Sequence, residues 1–364
     1  MSGVEFLNSE HSVSEHPLDQ MSHDRVHAPV LLQEVVDALT GTLETPVEED
    51  RVCVDGTFGA GGYSLALLKA GVRRVWAFDR DPEAVARGRV LAAQFPGRLE
   101  VIESAFDVMD EALAMRGVGV VDGIALDLGV SSAQLDQAER GFSFRFDGPL
   151  DMRMNLQGAT AADMVNSLSE EELADALFYL GEERHARRVA RAIVAARREA
   201  PIERTWRLSE IVRSAVPRSR DGIDPATRTF QGLRLLVNDE LGQLRRVLDA
   251  AERLLRPGGR LAVVSFHSLE DRIVKTFFRE RAGQVAEPSR HCPAPLRPLR
   301  QEPTLRLIHR RPITPSAAET AANPRARSAR LRVAERTAAV RTAAVVGANV
   351  LWAADGLLPN EETE

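Results

Sequence analysis

From residue 51 to 129 the chain repeats one unit: a short apolar run, a turn, then a helix-length amphipathic run. "RVCVD" (51–55) precedes "YSLALLKAG" (63–71), and "RVWAFDRD" (74–81) precedes "PEAVARGRVLAAQF" (82–95). "LEVIESAF" (99–106) and "VVDGIALDLG" (120–129) add two more apolar runs. Pro82 suits a first helical turn and Gly71 a helix end. Strands that alternate with helices predict a parallel sheet covered on both faces, because parallel neighbours are joined only by crossovers. The fold class is therefore α/β. Apolar residues make up 44% of the chain and aromatic ones 5%, so Leu, Val and Ala must fill the core.

The alternation is interrupted once. From about 135 to 222 the signals are helical. "TAADMVNSL" (160–168) and "SEEELADALFYLG" (169–181) open with capping-box spacing, and "EERHARRVARAIVAARREA" (182–200) stops at Pro201. The α/β pattern resumes at Asp224 and Pro225 with an apolar stripe from Phe230 to Leu255. That stripe is long enough for two helices with a break near Asn238. "RLAVVSFHS" (260–268) reads as a fifth strand. "LEDRIVKTFFRER" (269–281) reads as a helix capped by Ser268, with Asp271 three residues on. "TLRLIHRR" (304–311) and "SARLRVAER" (328–336) read as a strand pair at one edge. The expected division is a lead (1–24), a discontinuous α/β domain (25–134 and 223–340), an inserted helical domain (135–222) and an Ala-rich tail (341–364).

A net charge of −6 excludes a uniformly basic coat but not a basic face. Cys53 and Cys292 lack zinc or redox spacing, so no metal is expected and a reducing cytoplasm is the simplest setting. Neither a signal-peptide pattern nor a membrane-length apolar run is expected. "AAVVGANVLWAADGLL" (343–358) comes nearest and is interrupted by Asn349 and Asp355.

The turn "DGTFGAGGYS" (55–64) is where a ligand is expected. Glycines let the backbone approach a ligand, and a helix N-terminus receives its polar groups. A plain tight turn explains the glycines equally well. Ser64 stands where a dinucleotide fingerprint has its third glycine, and no Lys-Ser/Thr follows, which excludes a P-loop. Asp79, at the end of the second strand, suits the ribose hydroxyls of an adenosine, whether in NAD or in S-adenosylmethionine. Phe106 can lie against adenine or simply fill the core. Asp127 ends the fourth strand, where ligands of open sheets collect, with Gln134 shortly after. "ERGFSFRFDGPLDMRMN" (139–155) mixes Phe142, Phe144 and Phe146 with Arg140, Arg145 and Arg153. That mixture suits a nucleobase and its phosphates, or an amphipathic hairpin on the core. Arg184, Arg188 and Arg191 form a cationic stripe, and His267 ends the fifth strand. Three classes stay open on these residues: a methyltransferase, an NAD-dependent oxidoreductase, and an RNA-binding assembly factor.

Taken together, "HAPVLLQE", "DGTFGAGGYS", "FDRDPEA", "LDLGVSSAQLDQAERGFSFRFDGPLDMRM", "GEERHARRVARAIV", "DPATRTFQGLRLLVNDEL", "GGRLAVVSFHSLEDRIVK" and "NPRARSARLRVAER" resemble one family. It is the bacterial MraW/RsmH-type methyltransferases of small-subunit ribosomal RNA. The matching stretches run in order from about 27 to 336. The resemblance implies a Rossmann-like class I methyltransferase domain with an inserted helical substrate-recognition domain. It implies S-adenosylmethionine as donor and N4 of a cytidine in the decoding region (P site) of 16S rRNA as acceptor. It places cofactor contacts at Gly61, Gly62, Tyr63, Asp79, Phe106, Asp127 and Gln134. Phe142, Phe144, Arg153 and His267 are candidates for the RNA base, and Asp127 for the amine's acceptor. The family has His where this chain has Tyr63. The partner is 16S rRNA in the small subunit, and a homodimer stays open.

Overall fold

The computed structural model describes residues 29–41, 50–217, 222–284 and 302–340. The expected lead, the tail and Cys292 lie outside them. A seven-stranded sheet runs in the order β3-β2-β1-β4-β5-β7-β6. Its strands are β1 (Val52–Asp55), β2 (Arg74–Asp79), β3 (Leu99–Glu103), β4 (Val121–Asp127), β5 (Leu255–Ser265), β6 (Leu305–Leu307) and β7 (Arg330–Arg336). The pairs among β1 to β5 are parallel, and β7 lies antiparallel between β5 and β6.

Successive side chains of a strand point to opposite faces, and here they fill two cores. Val54, Ile124, Leu126 and Val263 face one side. They meet Leu244, Val247, Leu248 and Ala251 of a helix over Glu240–Leu254. Cys53, Ala125, Ala262 and Val264 face the other. There they pack with Val35, Val36 and Leu39 of α1 (Leu32–Thr40) and Leu67 of α2 (Gly62–Lys69). Burial pushes the Cys53 thiol up to about 12, so it is an inert core residue. The next helix, α3 (Pro82–Ala92), is capped by Asp81, which accepts from Glu83 N–H at 3.1 Å.

The insertion has its own core. It holds α4 (Ala161–Ser167), α5 (Glu170–Tyr179), α6 (Ala186–Arg197) and α7 (Thr205–Ala215). The two expected capping boxes are present, Thr160 with Asp163 and Ser169 with Glu172. This core does not end at 222. Phe230 and Leu233 of α8 (Ala226–Val237) belong to it, whereas Leu244 of α9 (Glu240–Leu254) belongs to the sheet core. The packing changes hands at Asn238 and Asp239, where Asp239 takes a left-handed φ of 45°. Asn238 stitches the two parts together: its side chain accepts from Met154 N–H at 2.9 Å and donates to the Met152 carbonyl at 2.7 Å.

One expected cap differs. The helix α10 (Ser268–Arg281) has His267 at its N-cap, and Glu270, not Asp271, folds back on the entry. The Glu270 carboxylate accepts from Phe266 N–H at 2.8 Å and His267 N–H at 3.3 Å. Asp271 is claimed by β7, where Arg330 reaches it at 2.8 Å and Arg332 at 2.7 and 3.1 Å.

Candidate active site

A cleft of roughly 410 Å³ opens at the carboxyl ends of β1, β2, β4 and β5. In an open α/β sheet this is where neighbouring crossovers diverge and leave a crevice. Its lining includes Gly59, Gly62, Tyr63, Asp79, Phe106, Asp127, Gln134 and His267, so side chains remote in sequence meet there.

The glycine turn is shaped by packing as much as by a ligand. Gly59 and Gly61 have positive φ, 54° and 81°. A Cβ on Gly61 would lie 2.6 Å from the Phe58 ring, and one on Gly62 2.1 Å from Pro29. At Gly59 the nearest atom is 3.9 Å away, so that glycine alone leaves open space over the cleft. Asp55 fastens the turn to α2. It accepts from Thr57 N–H at 3.2 Å, Ser64 N–H at 3.1 Å and Ser64 Oγ at 2.7 Å. The residue in the place of a third glycine therefore supplies a hydroxyl to the turn. Burial raises the Asp55 carboxyl to about 6, against the pull of these hydrogen bonds.

Tyr63 is buried, and its hydroxyl donates to the Val30 carbonyl ahead of α1. Its phenol thus ties the turn to the segment ahead of α1.

Asp79 accepts from Gly59 N–H and Asp81 N–H, each at 2.8 Å, which fixes its carboxylate at the end of β2. Burial raises its pKa. Gln134 belongs to a capping box with Ser131, the Ser-x-x-Gln spacing of "SSAQ". Its Oε1 accepts from Ser131 N–H at 3.0 Å and its Nε2 donates to Asp81 at 2.8 Å. Asp81 also pairs with Arg140 at 2.8 Å, with both side chains under a tenth exposed. Sequence reasoning missed this pair; it joins the start of α3 to the entry of the insertion.

Asp127 Oδ1 is buried without a hydrogen-bond partner in the protein. Burial, with the Asp55 and Glu270 carboxylates nearby, pushes its pKa well above the ordinary range. An orphaned buried acceptor is rare in a native fold, and in a residue that lines the cleft it marks a place for a ligand's donor. His267 also lines the cleft, with its Nε2 3.1 Å from Glu270. Burial raises the Glu270 carboxyl, but His267 and Arg234 outweigh it and leave the pKa below its usual value. Arg234 meanwhile holds Glu240 at 2.8 and 3.1 Å.

Phe142, Phe144 and Arg153 are not among the lining residues. Phe142 is buried in the insertion core. Phe144 packs edge-on against Phe230, centroids 5.0 Å apart, and Arg153 is held by Asp151 at 2.7 Å. These three make contacts within the insertion and do not line this cleft. Gly61 acts beneath the turn, under Phe58, and is also outside the lining. No cluster of His, Cys, Asp and Glu suited to a metal occurs among the described residues.

A sheet in this order with its seventh strand reversed, and an acid-and-glycine cleft at its parallel strand ends, defines a Rossmann-like methyltransferase. Residues 24–337 match the MraW methylase family, and the chain belongs to that family. It is 64% identical over 304 residues to the ribosomal RNA small subunit methyltransferase H of Rhodospirillum centenum, covering 84% of this chain and 90% of that one. The protein of the same name from Paramagnetospirillum magneticum is 59% identical over 303 residues, covering 83% and 93%. That from Acidiphilium cryptum is 54% identical over 309 residues, covering 85% and 97%.

Proposed function

We propose that this enzyme transfers a methyl group from S-adenosylmethionine to N4 of a cytidine in the decoding region of 16S rRNA, at the P site of the small subunit. The observation that carries the reading is the unpartnered, buried Asp127 Oδ1, in a residue that lines a cleft together with Asp79. The curated relatives named for small-subunit rRNA supply the substrate class.

S-adenosylmethionine, when bound, supplies a methyl group on a sulfonium centre. Asp79 would hold the ribose. Each of its oxygens accepts one backbone N–H and keeps a lone pair for a hydroxyl. Phe106 would lie against the adenine, and the backbone of the turn from Gly59 to Tyr63 would meet the polar end. Gln134 acts by holding Asp81 and the strand end in place. The exocyclic amine of cytosine is a weak nucleophile because its lone pair is delocalised into the ring. An acceptor for its N–H localises that pair and takes the proton. Asp127 Oδ1 is available for this, and His267, steadied by Glu270, would hold the base from the other side.

The test is Asp127→Asn. Transfer to small-subunit RNA should fall by about a hundredfold or more with cofactor affinity retained. A wild-type rate in that variant refutes the assignment.

A further inference from the structure

Two large aromatic side chains stand exposed on the insertion, a few residues before a contact that ties it to the helix beside the cleft. Phe178 is 53% and Tyr179 44% exposed, and their rings meet edge to face with centroids 5.1 Å apart. They form the last turn of α5. The chain then turns at Glu182, in a left-handed φ of 50°. Glu182 accepts from the Ser268 hydroxyl and lies 3.5 Å from Arg272. Ser268 adjoins His267, which lines the cleft. After Glu182 and the buried Glu183 come Arg184, Arg187 and Arg188, all exposed. Arg191, further along the same helix, is already paired with Glu170. Asp175, one turn back in α5, is partly buried.

We infer that this surface is the platform that receives the single-stranded RNA flanking the target nucleotide. Bases stack on Phe178 and Tyr179, and Arg184, Arg187 and Arg188 meet the phosphates. Every base has a π-face, so exposed rings beside cations fit an unpaired strand of any sequence. The Glu182 contacts with α10 fix the platform relative to His267, so a strand lying on it is led to the cleft. The inference rests on the proposed rRNA substrate and adds the surface that recognises it.

The test uses the full chain with two probes: small subunits from a strain lacking the enzyme, and the naked small-subunit rRNA. Phe178→Ala and Tyr179→Ala should each weaken binding to both about fivefold or more. Arg184→Ala with Arg188→Ala should reduce the slope of log affinity against log salt by about 1.4. Melting temperature and S-adenosylmethionine affinity should stay as in wild type. Wild-type binding and salt dependence in these variants overturns the platform. So does loss of subunit binding with naked-RNA binding intact, which would show that the rings face a ribosomal protein. A wild-type enzyme that methylates no RNA overturns the rRNA reading instead, whatever the variants do.

Discussion

Replacing Arg140 by Met should loosen the joint between the insertion and the sheet. Arg140 pairs with Asp81 at 2.8 Å and donates to the carbonyls of Arg153 at 3.2 Å and Met154 at 3.0 Å. Asp81 keeps only one other side-chain donor, Gln134 at 2.8 Å, while it caps α3. Removing the cation leaves a buried carboxylate without its charge partner, which costs about 3–5 kcal/mol. At roughly 2–4 °C per kcal/mol, the melting temperature should drop on the order of 10 °C. Adding Asp81→Asn removes the stranded charge. The double variant should therefore melt above Arg140→Met alone, with a coupling energy of about 1–3 kcal/mol in the cycle. Thermal and urea unfolding followed by circular dichroism measure all four proteins. A single variant that melts within a degree of wild type, or a cycle with no coupling, refutes the reasoning.

Tyr63→Phe strips the donor from the buried Val30 carbonyl, so stability should fall by about 1–3 kcal/mol in urea titration while cofactor Kd stays within about threefold. Asp79→Ala removes the acceptor of the Gly59 and Asp81 amides as well as the proposed ribose partner. Calorimetry should show S-adenosylmethionine affinity reduced at least about tenfold. The Asp55 pKa of about 6 lies above its unfolded value of 3.8. Its contribution is therefore fully present below about pH 4 and is lost as pH rises through 6, a slope of roughly 3 kcal/mol in all. In unfolding measured from pH 4 to 7, Asp55→Asn should flatten that slope, and an unchanged profile contradicts the assigned burial. S-adenosylmethionine at about a hundred times its Kd should raise stability by about 2.7 kcal/mol, and NAD should not.

The sheet and the position of the cleft were legible because both follow from local patterns. Apolar runs ending in Asp55, Asp79 and Asp127 put three carboxylates at one end of a parallel sheet. The capping boxes at Thr160 and Ser169 and the break at Asn238 are equally local. What stayed hidden depends on contacts between distant segments. Glu270 and Asp271 are adjacent acids, and only Arg330 and Arg332 on β7 decide which of them caps α10. The stripe from Phe230 to Leu255 has one period throughout, yet its halves serve two cores, so periodicity could not show where the packing changes hands.

The site shows the same limit. Phe142, Phe144 and Arg153 have the composition of a base-binding hairpin. Phe144 packs against Phe230 and Arg153 pairs with Asp151, contacts that composition alone does not show. Tyr63 stands where the family has His, and the partner of its phenol, Val30, is 33 residues away. Arg140 and Gln134 converge on Asp81 from a different part of the chain, and no spacing rule brings those three together.

The central claim is tested most directly by methyl transfer itself. Purified enzyme is incubated with labelled S-adenosylmethionine and small subunits from a strain that lacks it, and the rRNA is digested and read by mass spectrometry. The account predicts label on one cytidine of the decoding region of 16S rRNA, as N4-methylcytidine. Label at another base or another atom, or no label on RNA from an enzyme that binds the cofactor, contradicts it.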